Sequence, residues 1–378
     1  KGPAWVLREL AEARLLGRGG AGFPAGTKWS AVASAPSPEK YVVCNADESE
    51  PGTFKDRILL EGDPFAILEA MTVAGFAVGA ERGVIYVRGE YPLAARRVTH
   101  AIEVARARGA LGATVLGTGQ RFDVEVRRGA GAYICGEETA LLESIEGRRG
   151  EPRSKPPFPV HAGLFGRPTL IHNVETLAAS LEVIRQGAVA FASRGTAQST
   201  GTRLFCVSGH VARPGVYELS MGTPLRALLA RAGVALDALQ AVLLGGAAGT
   251  FLRPDEIDLR LTFEDARSAG ATLGSGAVVV FDRSASMIEV LRGLTRFFRH
   301  ESCGQCVPCR VGTVRMDELV TRIALQRPKG TWGDERARLA DLGAVLRDAS
   351  ICGLGQTAAS AVESAVARWS LWPDEGGT

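Results

Sequence analysis

The sequence is short of most features that would assign it to a special class. Only 6% of its 378 residues are aromatic, and the formal net charge is +3. So mild a balance, with no basic run interleaved with aromatics, argues against nucleic acid as a partner. The longest apolar region, Ile67 to Val87, is broken by Glu69, Glu81 and Arg82, which excludes direct membrane insertion. No secretory leader is evident, although the chain starts at Lys1 rather than Met. Internal repeats and low-complexity tails are missing. Cysteine is sparse, seven in all, which does not resemble a small disulfide-stapled scaffold. The expectation is a cytoplasmic globular protein of two or three domains, with ample core from 46% hydrophobic residues.

Four of those cysteines carry the strongest signal. Cys303, Cys306 and Cys309 recur every third residue, and Cys352 follows far downstream in Ile351-Cys352-Gly353-Leu354-Gly355. Three crowded thiols and a remote fourth match the ligand count of an iron–sulfur cluster held by four thiolates. A two-cluster ferredoxin run would need another Cys where Thr313 stands, so one 4Fe-4S cluster closed by Cys352 is the economical reading. Structural zinc is the competing one, but zinc favours two separated pairs converging on one ion. Cys44, Cys135 and Cys206 read as small buried residues.

The chain opens with an amphipathic helix, Trp5 to Leu16, and runs into a loop with five glycines between positions 17 and 26. Gly17, Gly19 and Gly22 formally spell GxGxxG, yet a helix precedes the motif and Pro24 interrupts the stretch after it. The dinucleotide fingerprint needs a strand before and a helix after, so it fails. There remains a loop whose backbone N–H groups can approach a ligand closely, with Lys28 available for an anionic group. The strand Tyr41 to Cys44 then ends in Asn45-Ala46-Asp47-Glu48-Ser49-Glu50. Loops at the carboxyl ends of parallel strands bind ligands in open α/β sheets. Acidic side chains there suit ribose hydroxyls, amides or flavin ring N–H groups; the plain alternative is a solvated turn.

Helices at 65–79 and 92–108 alternate with strands at 84–87 and 122–126, predicting a mostly parallel sheet. The last strand leads into a second glycine-rich loop, with Gly129, Gly131, Tyr133, Gly136, Glu137 and Glu138, before a helix from about Thr139 to Ile145. The two glutamates there serve either a ligand or the helix N-terminus. Lys155-Pro156-Pro157-Phe158-Pro159 reads as a stiff extended segment presenting one aromatic. Ile171-His172-Asn173-Val174-Glu175-Thr176 starts a helix whose N–H groups suit a phosphate. From residue 200 the pattern becomes a compact α+β module with strands at 204–208, 216–219, 241–244 and 277–281. After Ser284 it is helical, with the cysteine run at a helix boundary.

Taken in order, Asn-x-Asp-Glu-x-Glu-Pro-Gly-Thr, Gly-Ala-Gly-x-Tyr-x-Cys-Gly-Glu-Glu-Thr, Pro-Pro-Phe-Pro, Asn-Val-Glu-Thr and Glu-Ser-Cys-Gly-Gln-Cys resemble one family over essentially the whole chain. It is the flavin-binding NADH-oxidising subunit family. It includes the 51-kilodalton-type subunit of respiratory complex I, diaphorase subunits of NAD-reducing hydrogenases and β subunits of NAD-dependent formate dehydrogenases. The resemblance implies FMN, NAD(H) and one 4Fe-4S cluster on Cys303, Cys306, Cys309 and Cys352. The FMN shell it implies is Gly17, Gly19, Lys28, Asn45, Asp47, Glu48, Tyr133, Gly136, Glu137, Asn173 and Thr176. For NADH it implies Phe23, Lys155 and Phe158, with Glu50 and Glu138 orienting the nicotinamide and ribose. No side chain acts as nucleophile or general base.

It further implies a Rossmann-like FMN- and NADH-binding α/β domain over 1–199, a ubiquitin-like β-grasp domain over 200–283, and a helical 4Fe-4S domain over 284–378. Two positions depart from the family pattern. Ala31 stands where a larger apolar residue often helps cover the adenine, and His172 replaces an Asn common beside Asn173. The wording around His172, Gln305 and Gln356 resembles the formate dehydrogenase β branch. Implied partners are iron–sulfur electron-transfer subunits, including a thioredoxin-like 2Fe-2S protein or fused domain, with a formate-oxidising, hydrogen-oxidising or quinone-linked module. A complex I context would place the protein peripherally on the inner membrane face.

Overall fold

A computed structural model of the chain describes residues 1–372; residues 373–378, the end of the expected helical domain, lie outside it. Two helices, α1 (Pro3–Ala13) and α2 (Ala25–Ser34), flank the first glycine loop. Pro24 does not interrupt the chain as expected. It occupies the N-cap of α2 with φ −60°, so a helix does follow the glycines. No strand precedes them, and the failure of the dinucleotide pattern rests on that alone.

The chain then alternates through β1 (Tyr41–Ala46), α3 (Lys55–Gly62), α4 (Pro64–Val78), β2 (Arg82–Val87), α5 (Pro92–Ala107), β3 (Asp123–Arg128) and α6 (Glu138–Ile145). A short α7 (Pro159–Ala162), β4 (Thr169–Asn173), α8 (Val174–Gln186) and α9 (Ala188–Ala192) complete this part. Local chemistry sets the boundaries. The Asp63 carboxylate accepts from the Ala66 N–H and Pro64 fills the first turn of α4, while Gly79 at φ 74° ends it. Ile171 and His172, expected at a helix start, are strand residues; α8 begins only after Asn173, whose side chain caps it by accepting from the Glu175 N–H.

The four strands lie in the order β3-β2-β1-β4, all parallel. Both faces are buried along β1, β2 and β4, as is usual for parallel strands, while the edge strand β3 is largely open to solvent. In β1, Val42, Cys44 and Ala46 face the core built with α1, α2 and α4, whereas Tyr41 and Val43 join a second core that contains Cys309 and Cys352. The period-2 alternation of one strand therefore fastens the helices packed on one face of the first sheet to the cysteine-bearing helices on the other.

A second sheet has the order β6-β5-β9-β7-β8, from β5 (Thr202–Gly209), β6 (Gly215–Ser220), β7 (Leu239–Leu244), β8 (Thr250–Leu252) and β9 (Ala277–Asp282). Helices α10 (Leu225–Arg231) and α11 (Phe263–Ser268) accompany it around a core of its own. The rest is helical: α12 (Met287–Glu301), α13 (Val307–Ala324), α14 (Trp332–Ala349), α15 (Gly353–Thr357) and α16 (Ser360–Arg368). Among the described residues no helix is long and apolar enough to cross a membrane.

Candidate functional site

The first sheet runs from β1 through β2 to β3 on one side, then returns to place β4 on the other side of β1. Loops leaving β1 and β4 therefore diverge at their carboxyl ends and open a crevice between them. A cavity of about 380 Å³ occupies this place. Nine of the residues singled out in the sequence line it: Gly19, Asn45, Asp47, Glu48, Glu50, Tyr133, Gly136, Glu137 and Asn173. Gly245, Ala248 and Ser275 of the second sheet's loops, and Gly353, Leu354 and Thr357 after Cys352, complete the walls. All three parts of the chain meet here.

Many of these side chains are already held. Asn45 donates from Nδ2 to the Gly136 carbonyl at 2.8 Å and accepts from the Asp47 N–H at 3.1 Å, tying the two glycine-containing loops together. The Glu48 carboxylate accepts from the backbone of Asp56 and Arg57 at 2.9 and 3.0 Å and from the Tyr91 hydroxyl at 3.0 Å. Burial, with Asp56 nearby, pushes its pKa up to about 7. Glu137 caps α6, taking the N–H groups of Thr139 and Ala140, and also receives Lys155 Nζ at 2.8 Å. Both readings of that glutamate thus coexist: it serves the helix end and lines the cavity.

Asp47 differs. Ser49 donates to Oδ2 at 2.7 Å, but Oδ1 is buried with no partner, and burial raises the pKa to about 7.

The remaining predicted residues stand around the rim or behind the wall. Lys28 Nζ meets Glu138 Oε2 at 2.7 Å, and lies 5.9 Å from the centre of the Phe23 ring. Phe23 and Phe158 are about half exposed, at 49% and 51%. Single exposed aromatics are ordinary on a protein surface, and here they leave both rings within reach of a ligand at the rim. Thr176 is buried and its hydroxyl accepts from the Arg18 N–H at 2.8 Å, which fixes the first glycine loop against α8. Gly17 reaches that loop's base, its N–H donating to the Phe23 carbonyl at 2.9 Å.

The cysteine positions converge at two helix starts. Cys306 is the N-cap of α13 and Cys352 that of α15. The backbone N–H groups of Leu354 and Gly355 favour the Cys352 thiolate, against burial that raises its pKa. A Cβ on Gly355 would lie 3.0 Å from Cys309 Cβ, so α15 abuts the first cysteine segment. Backbone donors and helix N-termini stabilise thiolates, the form that binds metal. Among the described residues no three His, Cys, Asp or Glu side chains converge on a single metal ion.

Several residues that build the site give no sequence signal. Lys55 is fully buried from solvent and bonds Asp56 at 2.7 Å and Glu175 at 2.9 Å, and both Lys55 and Asp56 line the cavity. Nothing in Thr53-Phe54-Lys55-Asp56 distinguishes that lysine from a surface one. Arg18, buried inside the first glycine loop, donates to the Thr200 and Thr202 carbonyls at 2.9 and 3.0 Å and so joins loop to second sheet. Glu301 accepts from the Tyr133 N–H at 2.9 Å. Its place in the Glu-Ser-Cys run is visible in the sequence, its partner is not.

The Nuo51 FMN-binding domain family matches residues 10–181, the SLBB domain family 204–241, and the NADH-ubiquinone oxidoreductase-F iron–sulfur binding region 289–371. An F-type NADH-quinone oxidoreductase subunit of Rhizobium meliloti is 45% identical over 96% of this chain and 86% of its own length. The chain belongs to the flavin-binding NADH-oxidising subunit family. NADP-reducing hydrogenase subunit HndC of Solidesulfovibrio fructosivorans is 43% identical, over 94% of this chain and 72% of its own. A crystal structure of NAD+-reducing NiFe hydrogenase in the H2-reduced state superposes with a TM-score of 0.90 at 40% identity. It covers 98% of this chain, which spans 62% of that hydrogenase chain. As a family member the protein is an NAD-dependent flavin oxidoreductase, with FMN, NAD(H) and a 4Fe-4S cluster as its cofactors.

The residues present fit those groups. The orphaned Asp47 Oδ1 on the cavity wall asks for an N–H donor, which a flavin ring offers. Gly19 leaves its backbone bare to the cavity where a Cβ would sit 3.0 Å from Asn173 Cβ. Cys303, Cys306 and Cys352 all act electrostatically on Cys309, so the four thiols gather in one place, and four thiolates are the donor set of a 4Fe-4S cluster.

Proposed function

We propose that this chain accepts a hydride from NADH in the crevice between β1 and β4 and passes electrons singly to a cluster on Cys303, Cys306, Cys309 and Cys352. One observation carries the reading: Gly353, Leu354 and Thr357, close behind Cys352 in sequence, form a wall of the same cavity that Asn45, Asp47 and Glu50 line. FMN, when bound, supplies chemistry that exchanges two electrons with NADH and one with iron–sulfur. The protein supplies position. Gly17, Gly19, Lys28, Asn173 and Thr176 would receive the phosphate end, and Asn45, Asp47, Glu48, Tyr133, Gly136 and Glu137 the ring and ribityl chain. Phe23 and Phe158 would bracket the adenine, with Lys155 beside them, while Glu50 and Glu138 orient the nicotinamide and ribose. No side chain needs to hold a nucleophile.

We divide the chain accordingly into 1–199, 200–283 and 284–378. The parent assembly is of the complex I or NAD-reducing hydrogenase type, with further iron–sulfur subunits as partners, a thioredoxin-like 2Fe-2S protein among them. The relatives named above belong to an NADH-quinone oxidoreductase and to NADP- and NAD+-reducing hydrogenases, and they move the context away from formate dehydrogenase, which the wording around His172 favours.

The test is reconstitution with FMN, iron and sulfide, followed by NADH oxidation with a one-electron acceptor. Turnover in the wild type, with a selective rise in the NADH requirement and no flavin loss in Glu50→Gln, supports the assignment. Loss of flavin from that variant shows that the two ligand sets have been mis-sorted.

A further inference from the structure

Glu50 is held from two different parts of the chain. Tyr133 donates its hydroxyl to Oε2 at 2.5 Å, and the Ala248 N–H donates to Oε1 at 3.0 Å. Ala248 belongs to the tight loop Gly245-Gly246-Ala247-Ala248-Gly249, which joins β7 to β8 in the second sheet. The Ala247 N–H also favours the carboxylate form of Glu50, against burial that raises its pKa. The loop is shaped around this carboxylate. Gly246 has φ 82°, a left-handed conformation, and a Cβ there would come within 2.5 Å of Glu50 Cγ and Oε1. Only a bare backbone lets the glutamate lie across the loop.

We infer that the β7–β8 loop is a positioning element for Glu50, which makes the second sheet's module part of the nicotinamide site rather than a spacer between cavity and cluster. Each oxygen of Glu50 has one donor fixing it, one from Tyr133 and one from the loop. The lone pairs left over are aimed by these two anchors and can accept from an amide N–H of the incoming nicotinamide. With two anchors at once the side chain has little rotamer freedom left, so the ordering cost falls on the fold and not on binding. The inference rests on the reading that Glu50 orients the nicotinamide.

The experiment measures NADH and NAD+ binding to the FMN-loaded, cluster-containing protein, with FMN affinity followed separately by flavin fluorescence. The variants are Gly246→Ala, Ala248→Pro, Glu50→Gln and the double variant Gly246→Ala with Glu50→Gln. The expected result is a roughly tenfold weaker nicotinamide affinity in Gly246→Ala, the scale of one lost charge-assisted hydrogen bond. FMN affinity should stay within about twofold, and the double variant should lose little beyond Glu50→Gln alone, because both changes act through one carboxylate. Should Gly246→Ala fail to fold, Ala248→Pro replaces it in the same cycle, because proline removes the loop N–H that donates to Glu50. Unchanged nicotinamide binding in Gly246→Ala, or a loss fully additive with Glu50→Gln, overturns the positioning role. If Glu50→Gln itself leaves nicotinamide binding intact, the underlying assignment of Glu50 fails, and the inference with it.

Discussion

The backbone N–H of Tyr133 donates to Glu301 Oε2 at 2.9 Å, so a wall of the cavity is hydrogen-bonded to the residue two places before Cys303. The same tyrosine packs edge-on against Phe297 and Phe298 of α12, with ring centroids 5.0 and 6.5 Å away. Glu301→Ala leaves that N–H without an acceptor and should cost about 1–3 kcal/mol of stability. It should also slow the appearance of reduced cluster after NADH while flavin bleaching keeps its rate. Glu301→Gln, which retains a carbonyl acceptor, should restore both. Stopped-flow absorbance with rapid-freeze EPR separates the two steps, and unchanged cluster reduction in Glu301→Ala would contradict the link.

Cys352 is the thiol that no local spacing ties to the other three. Cys352→Ala should lose the visible iron–sulfur absorption and most of the bound iron. NADH-dependent flavin bleaching should persist, because the residues proposed to hold FMN all precede residue 200 and lie apart in sequence from Cys352. Iron analysis and optical titration check this. Retention of a full complement of iron would remove Cys352 from the ligand set.

Gly19 bears on flavin affinity alone. A methyl group there meets Asn173 at 3.0 Å on the cavity wall. Gly19→Ala should therefore weaken FMN binding by roughly tenfold or more, in line with about 1–3 kcal/mol for overpacking. Flavin fluorescence titration against the wild type reads the change directly.

Asp47 predicts a pH dependence of that same affinity. Burial raises its pKa to about 7, and a ring N–H is best received by the carboxylate form. Below pH 7 the acid must first lose its proton, so FMN affinity should fall as pH falls. Asp47→Asn should bind more weakly at pH 8 and show little of this slope between pH 8 and pH 6. The stability of the flavin-free protein carries the opposite sign. A carboxyl whose folded pKa is raised favours the fold at low pH, and that contribution is lost as pH rises through about 7.

How much of this is legible in the sequence depends on how local each determinant is. The thiol spacing of Cys303, Cys306 and Cys309 is a property of seven consecutive residues, and the glycine loops are as local. The α/β alternation is likewise local, and it places the strands at Val84 and Phe122 to within a few residues. The strand Thr169–Asn173 escapes because its only signal is a short apolar run before a helix cap, which reads as a helix start. Pro24 reads as an interruption because proline both ends and begins helices. The grip of Ala248 on Glu50 spans 198 residues, and that of Glu301 on Tyr133 spans 168. Such contacts exist only once the sheets have assembled, so no window of sequence contains them.

His172 tests a different consequence of burial. Its Nε2 accepts from Trp29 Nε1 at 2.9 Å, and burial, aided by Lys28, lowers its pKa to about 3. The ring stays neutral in the fold, while in the unfolded chain it takes a proton near its ordinary 6.5. This histidine's stabilising contribution is thus complete above about pH 6.5 and declines as pH falls below it. His172→Gln should flatten the decline of melting temperature between pH 7 and pH 5.

The most direct measurement of the central claim is anaerobic addition of NADH to the protein carrying both FMN and cluster, with optical and EPR detection together. The account predicts flavin bleaching followed by a reduced-cluster signal that grows with NADH, and that disappears in Cys352→Ala. Flavin bleaching beside a cluster that dithionite reduces but NADH in large excess leaves oxidised would contradict the relay.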